Sequence, residues 1–446
     1  MNGLVVSTDS ELCCGAFNQA LWMHLKFMCG AEDELSNAIT HDPDFALAYV
    51  FRGYIQMQSY NFNRAKDAAV SLCEARSRSG RMNVREAAHA NALSLWIHGN
   101  LHLALQQWEH ILDDYPLDIM ALWLHHFNTL WLGRPESMHF SVERVVPFWS
   151  SEQKSWTTFL ACRSFANEEV GNYLVAENLG RMSVESDPSE MWGAHAVAHV
   201  FEMQGRRLEG LSFIDALEPN WGRGNNFKHH IFWHSAMFNM ELFEFDEVLD
   251  LYDRKFRNVN SPLTQSIPDL HVDIQNSVST LFRLELQSVD VGQRWGELAD
   301  KAESRIGDCL SAFTLPHWVM ALSTVGRDSA VVKLLDALRE CASGVSPMSR
   351  TLKDVALPVC SAIVAYRKKD YLSALTIMRP VVGIMYRLGG SPLQQDLLEQ
   401  LYMDSAVRVG SSADVELVLE RVSGRHPVPV SKRIGYSAVA EKYGHI

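Results

Sequence analysis

The sequence predicts an all-α protein, a tetratricopeptide-like right-handed α-solenoid built as a superhelix of helical hairpins with degenerate C-terminal repeats. Amphipathic segments recur in pairs, and a Gly or an aromatic residue stands between the two members of a pair. These turn residues recur every 34 to 39 residues, the period expected of tetratricopeptide repeats with short insertions. They are Tyr60, Gly99, Gly133, Gly171, Gly205 and Phe243.

The spacing also predicts the order of the elements. Residues 1–45 are expected to form N-terminal capping helices, and residues 46–260 form the regular repeats. In the clearest repeat Gly99 marks the turn, Trp108 packs back from the second helix, and Pro116 ends that helix. Each hairpin must stack on its neighbours because it cannot bury its apolar stripe alone.

Beyond Pro262 the period weakens, but amphipathic segments continue over 272–287, 294–309, 330–341, 352–366 and 371–388. We interpret residues 261–424 as degenerate helical repeats that close the superhelix. After a Gly-Gly break, Ser391 is a candidate N-cap and Pro392 a candidate first residue of a further helix. Residues 425–446 contain two prolines and are expected to form an extended C-terminal tail that ends in a short helix.

Composition excludes several classes of protein. With 446 residues, 47% hydrophobic and 21% charged, the chain is long and apolar enough to bury a core. The net charge of −13 argues against nucleic acid as a partner. The eight Cys show no C-x-x-C spacing, and neither a leader nor a membrane span is visible. We therefore expect a cytoplasmic protein that does not bind membranes.

Several segments resemble one family. LQQWEHILDDYPLDIMAL, AHAVAHVFEMQGR, HIFWHSAMF and LGGSPLQQD are similar, in this order, to segments of the tetratricopeptide repeat protein 38 family, and the resemblance suggests a bacterial member. It covers nearly the whole chain and implies the all-helical fold, but it implies no agreed activity. The residues that lie in matching segments are His89, His126, His195, His199, Glu202, His230, His234 and His317.

Histidine pairs four residues apart are the most unusual local feature. Such a pair lies on one helical face with its rings about 6 Å apart, near enough to share an ion or a proton. Random placement of the 18 His would give about one such pair, whereas the sequence has three. The pair His98 and His102 spans a turn and is expected to be exposed. The other two pairs are His195 with His199 and His230 with His234.

The repeat register places these two pairs on the inner surface. If Gly205 is the fifteenth residue of its repeat, then His195, His199 and Glu202 take the groove positions five, nine and twelve. The next repeat carries the second pair on its first helix, and adjacent first helices stack side by side. The candidate catalytic residues are therefore His195, His199, Glu202, His230 and His234. The candidate substrate-binding residues are His89, Trp96, His126, Phe165, Trp233, Asp273 and His317.

Three interpretations of the imidazoles stay open. They could be hydrogen-bonded polar residues of a groove, or general acid/base groups. They could also be metal ligands, with His195, His199, His230 and His234 around a divalent ion such as Zn or Fe, since no thiol competes. The sequence favours neither an enzyme nor a non-catalytic protein.

The absence of a P-loop, a G-x-S-x-G elbow and an H-E-x-x-H motif removes support for three common chemistries. Inner positions that read His, Glu and Trp favour a small-molecule ligand over a peptide, because peptide-clamping grooves usually display Lys, Arg and Asn. We therefore predict a small-molecule pocket. The alternative is a tetratricopeptide adaptor for protein–protein interaction without catalysis. The oligomeric state is undetermined, and a homodimer is compatible with the sequence.

Overall fold

Helices form almost all the regular structure in the computed structural model, which describes residues 3–444. Within that range no β-strand occurs, and the isolated bridge between Met28 and Gly224 is the closest approach to one. The fold is an all-α, tetratricopeptide-like α-solenoid, as the sequence predicts. No helix between residues 3 and 444 has both the length and the apolar content needed to cross a membrane.

The chain divides into two compact units. Unit 1 contains residues 3–130, Arg134–Val200 and Asp215–Lys228. Its helices pack as antiparallel hairpins, α1 with α2, α3 with α4, α5 with α6, and α9 with α10. The helices that lie wholly or mainly in unit 1 are α1 (Glu11–Leu25), α2 (Ala31–His41), α3 (Ala46–Gln58), α4 (Phe62–Ser77), α5 (Val84–Ile97), α6 (Leu101–Asp114), α7 (Ile119–Trp131), α8 (Pro135–Val145), α9 (Trp156–Glu169), α10 (Tyr173–Ser186) and α11 (Met191–Gln204).

Unit 2 contains Trp131–Gly133, Phe201–Ile214 and residues 229–444, and thus takes the last turn of α11. In it α17 packs on α18, α21 on α22, and α23 on both α22 and α24. The helices that lie wholly or mainly in unit 2 are α12 (Arg207–Leu217), α13 (Phe227–Glu241), α14 (Phe245–Leu251), α15 (Pro262–Ser266), α16 (His271–Leu286), α17 (Arg294–Ser304), α18 (Thr314–Thr324), α19 (Asp328–Ala342), α20 (Pro347–Thr351), α21 (Leu357–Arg367), α22 (Tyr371–Met378), α23 (Pro392–Val409), α24 (Ser412–Ser423) and α25 (Ser437–Lys442).

The six predicted turn residues all have left-handed backbone conformations. The φ angles are +76° at Gly99, +83° at Gly171 and +68° at Gly205, where the missing Cβ removes the steric cost. At Gly99 and at Gly171 the next amide donates to the carbonyl of the fifth residue before it, the hydrogen bond that closes a Schellman motif. The remaining three are Gly133, Tyr60 and Phe243, with φ of +62°, +46° and +62°.

Differences between predicted and observed helices have local causes. The segment 371–388 is not one helix, because Pro380 interrupts it and a 3-10 turn replaces its second half. Helix α18 lies outside the predicted segments; its Pro316 is in the first turn, where a missing N–H costs no helical hydrogen bond. Ser391 caps α23 through a capping box, with Pro392 at its first position, as predicted.

Candidate functional site

Two of the predicted histidines lie in an imidazole–aromatic cluster of unit 1. His195 and His199 are one turn apart on α11, and their ring centroids are 4.4 Å apart. Trp192 stacks on the imidazole of His195, with ring centroids 4.6 Å apart, and Phe165 from α9 stacks on the same imidazole, with centroids 5.2 Å apart. Both imidazoles are only 2% exposed, so burial keeps them among rings rather than in water. The members of this cluster are His126, Phe165, Trp192, His195, His199 and Phe227.

His126 has a fixed structural partner in the cluster. The indole Nε1–H of Trp192 donates to Nε2 of His126 over 3.1 Å, so the ring carries its own proton on Nδ1. Burial, helped by neighbouring His125, lowers the pKa of His126 to about 3. The ring is therefore neutral at neutral pH, and its Nε2 lone pair is already used.

Two glutamates that sequence reasoning missed approach His199. Oε2 of Glu168 lies 3.4 Å from Nδ1 of His199, and burial raises the pKa of Glu168 to about 8. Burial likewise lowers the pKa of His199 to about 3. Glu168, Glu169 and His199 each offer one atom that could ligate a common ion. The available signal was positional, since Glu168 lies one turn after Phe165 on α9.

His89 and Trp96 lie elsewhere in unit 1. Nε2 of His89 is 3.1 Å from Oδ2 of Asp118, which also accepts from Arg85 at 2.7 Å. Burial alone would raise the pKa of Asp118, but the charges of His89 and Arg85 lower it well below its usual value. Trp96 packs edge-on against Trp108, with ring centroids 5.7 Å apart. Both predicted binding residues thus have partners of their own inside the core.

The second histidine pair belongs to unit 2. His230 stacks on Trp233 at 5.3 Å, and the His230 and His234 centroids are 5.0 Å apart. Nδ1 of His230 donates to Oδ1 of Asn276, 3.2 Å away, because an amide oxygen only accepts. This hydrogen bond leaves the lone pair of His230 on Nε2. Asn276 gave no signal in the sequence.

The other predicted residues of unit 2 have separate environments. Asp273 accepts from Nδ1 of His229 over 2.9 Å, a histidine that the repeat register did not select. His317 donates from Nδ1 to the carbonyl oxygen of Phe313 at 2.8 Å, and burial lowers its pKa to about 4. Burial, reinforced by a nearby carboxylate, raises the pKa of Glu202 to about 8.

Sequence reasoning also missed a buried ionic network in unit 2, here called the tail network. Asp396 on α23 accepts from Arg433 at 2.8 Å and from Tyr436 at 2.6 Å, and both donors belong to the C-terminal segment. Gln400 donates to the second oxygen of Asp396 at 2.7 Å. Arg283 on α16 lies 3.7 Å from the same carboxylate. These five residues are all buried.

No family model matches the chain. Among solved structures it is similar to the human IFIT1 dimer with m7Gppp-AAAA, at 14% identity and a TM-score of 0.39, over 99% of this chain and 95% of that one. It is also similar to the P58(IPK) TPR domain, at 11% identity and a TM-score of 0.19, over 91% of this chain and 100% of that one. Likeness at this level carries no argument about function, and membership of the tetratricopeptide repeat protein 38 family remains a prediction.

Proposed function

We propose that this helical-repeat protein binds one divalent transition-metal ion through His195, His199, His230 and His234. Each of the four side chains can offer one ring nitrogen to a common ion. Imidazole suits Zn²⁺ and Fe²⁺, the two ions that the sequence favours. The observation that carries the proposal is the close approach of the two rings within each pair, with centroids 4.4 Å apart for His195 and His199 and 5.0 Å apart for His230 and His234.

The spacing of the histidines along each helix is compatible with one shared ion in the proposal. Phe227 begins α13, and His230 and His234 follow three and seven residues later on the same helix. At about 1.5 Å of rise per residue these are steps of roughly 4.5 and 10.5 Å along the axis. On α11, His199 lies about 6 Å beyond His195 by the same rise.

A hydrogen bond of His230 supports the same assignment. Metal-binding histidines commonly donate their second N–H to a carboxylate or carbonyl oxygen, which fixes the nitrogen that faces the ion. His230 does this toward Asn276, and Nδ1 of His199 faces Glu168. The proposal therefore assigns Nε2 of His230 to the ion.

The coordination number decides what such an ion does. Four imidazoles saturate a tetrahedral zinc ion, which would make the site structural. An octahedral ion such as Fe²⁺ would keep two coordination positions for a small ligand. Only with such an ion could the site bind the predicted small molecule and take part in catalysis. The identity of the metal therefore separates a structural site from a reactive one.

Elemental analysis of untagged protein tests the proposal. We expect about one ion per chain, lost in the double variant His199→Gln/His234→Gln. The matched control is His98→Gln/His102→Gln, which removes a pair with the same spacing that spans a turn. Wild-type protein that stays metal-free after incubation with Zn²⁺ and with Fe²⁺ would contradict the proposal.

A second candidate function is the adaptor, and one observation favours it. Unit 2 holds segment 425–436 of its own chain, which contains one 3-10 turn and no α-helix, through side chains of several helices, as a helical-repeat protein would hold a peptide. An adaptor of this kind captures a partner protein from solution. Binding that survives loss of the metal and of the histidine pairs would identify the adaptor as the function.

Nucleic acid is the partner that we propose to be absent. A net charge of −13 repels a polyanion on average. A mobility-shift assay with the capped oligonucleotide m7Gppp-AAAA tests this directly, and a salt-sensitive shift at micromolar protein would contradict it.

A further inference from the structure

Five residues of the C-terminal segment 425–436 are buried, although the segment forms no α-helix or strand. Its regular structure is limited to one 3-10 turn, Val430–Lys432. Nevertheless Val428, Ile434 and Tyr436 are 8%, 6% and 0% exposed. A segment with few internal hydrogen bonds must satisfy its polar groups on its surroundings. The surrounding helices of unit 2 therefore act as a host surface for it.

Two side chains of the segment meet on one carboxylate of the host. Arg433 and Tyr436 both donate to Oδ1 of Asp396, and the guanidinium lies over the Tyr436 ring at 4.9 Å. Arg433 and Asp396 are 8% and 7% exposed at the side chain, so the pair is desolvated. A desolvated charged pair with an aromatic neighbour is the usual chemistry of a binding hot spot.

The host also holds the backbone of the segment. Arg207 donates to the carbonyl oxygen of Lys432 at 3.1 Å, and the amide of Ile434 donates to Glu241 at 3.2 Å. Gly435 has φ +84°, and a Cβ there would lie 2.8 Å from Cδ of Gln400. Main-chain hydrogen bonds combined with a few side-chain anchors are how peptide-binding domains hold their ligands.

The host carries more buried acceptors than the segment uses. Among residues 3–444, Oε2 of Glu202 and Oε2 of Glu399 are buried and accept no hydrogen bond. Burial raises the pKa of both carboxyl groups because the arginines near them do not outweigh the loss of water, so a further cation beside either group would lower its pKa and ionise it. Segment 425–436 leaves these two carboxyl oxygens without a donor. A more basic segment could donate to them and would bind more tightly for that reason.

We propose that this surface of unit 2 is a peptide-binding site, and that segment 425–436 is its internal occupant, displaced by a basic partner segment with Arg followed three residues later by Tyr. The inference rests on the adaptor function proposed above and does not involve the metal. It assigns Asp396 as the anchor of the partner Arg and Tyr. It also assigns Arg207 and Glu241 as contacts of the partner backbone.

A cleavable form of the full chain tests the inference. A protease site is inserted after Gly424, which is exposed, and the folded protein is cut so that the segment remains only by contact. A fluorescent peptide of residues 425–444 is then added, and its anisotropy is followed. We expect exchange into the cut protein. Arg433→Gln or Tyr436→Phe in the peptide should weaken binding by roughly tenfold or more, since each removes a buried hydrogen bond to a carboxylate.

A second peptide has the same net charge and keeps the Arg-x-x-Tyr spacing, but its other positions are shuffled. We expect this peptide to bind the cut protein, whereas a peptide in which the Arg-x-x-Tyr spacing is broken should not bind. Failure of the native peptide to exchange at 100-fold excess would overturn the inference, and so would irreversible unfolding of the cut chain. The uncut variant Gly435→Ala provides an independent check, because strain on the internal occupant should increase peptide binding severalfold. No increase would count against the inference.

The adaptor function can survive that failure. A protein partner that binds the full chain through residues outside this surface would leave the adaptor proposal standing and this inference refuted. Partner binding that competes with the labelled peptide would support both.

Discussion

The imidazole–aromatic cluster of unit 1 and the tail network of unit 2 bury polar groups in opposite ways. The first buries neutral rings, and one indole hydrogen bond is enough to fix His126. The second buries ions, and Asp396 needs Arg433, Tyr436 and Gln400 as donors. Neutral imidazoles can leave water at modest cost, whereas a buried carboxylate needs cationic and hydrogen-bonded partners. The two regions therefore depend on different parts of the chain.

The largest expected effect separates these two ways of burial. Asp396→Ala leaves Arg283 and Arg433 buried without their common carboxylate, and we expect it to lower the free energy of unfolding by about 3–5 kcal/mol. In unit 1, His126→Leu leaves only the indole N–H of Trp192 unpaired, and we expect a loss of about 1–3 kcal/mol. Urea unfolding followed by tryptophan fluorescence and circular dichroism measures both.

Asp336→Ala is the control for the first change, since this aspartate pairs with Arg339 at an exposed position of unit 2. It should leave the unfolding midpoint unchanged. Equal losses for Asp396→Ala and His126→Leu would show that neutral and ionic burial cost the same here, and the contrast between the two regions would fail.

The sequence predicts the neutral region better than the ionic one. Repeat register predicts that His195 and His199 share the inner face of one helix, because a helical period and a known packing mode determine which residues lie on the same face. The same periodicity identified all six left-handed turns. The residues that local periodicity missed around them, Trp192 and Glu168, lie on the same helices as the residues that it found.

The tail network could not be predicted in this way. Ile434 and Glu241 are 193 residues apart, and Lys432 and Arg207 are 225 apart. No helical period connects such positions, and complementary charges are too common in a sequence to identify partners. Partners of this kind, including Asn276 for His230, become visible only when the chain is folded.

A pH titration distinguishes the two regions with a smaller effect. The pKa of His126 is lowered to about 3, chiefly by burial, so below pH 6.5 the unfolded chain binds a proton there that the folded chain does not. Its contribution to stability is complete above pH 6.5 and falls by about 1 kcal/mol between pH 6.5 and 5.5. His126→Gln keeps an acceptor for Trp192 but cannot titrate, so its stability should fall less over that interval.

Asp396→Asn should behave differently in the same titration. Burial acts to raise the pKa of Asp396. The positive charges of Arg433 and Arg283 outweigh this effect and hold the pKa below its usual value. Both folded and unfolded Asp396 are then ionised above pH 5.5, so the variant curve should run parallel to that of the wild type between pH 6.5 and 5.5. A changed slope in Asp396→Asn, or an unchanged one in His126→Gln, would contradict these assignments.

The smallest expected effect concerns what the two units share. Gly171 in unit 1 and Gly326 in unit 2 have φ of +83° and +74°, and a Cβ would meet no atom within 4 Å at either position. Alanine there costs only the left-handed strain, so Gly171→Ala and Gly326→Ala should each lower the free energy of unfolding by about 1 kcal/mol. Thermal unfolding of the two single variants compares them. Equal losses mean that the units use one kind of turn and differ only in what they bury, whereas a clearly larger loss in one unit would place part of their difference in the turns.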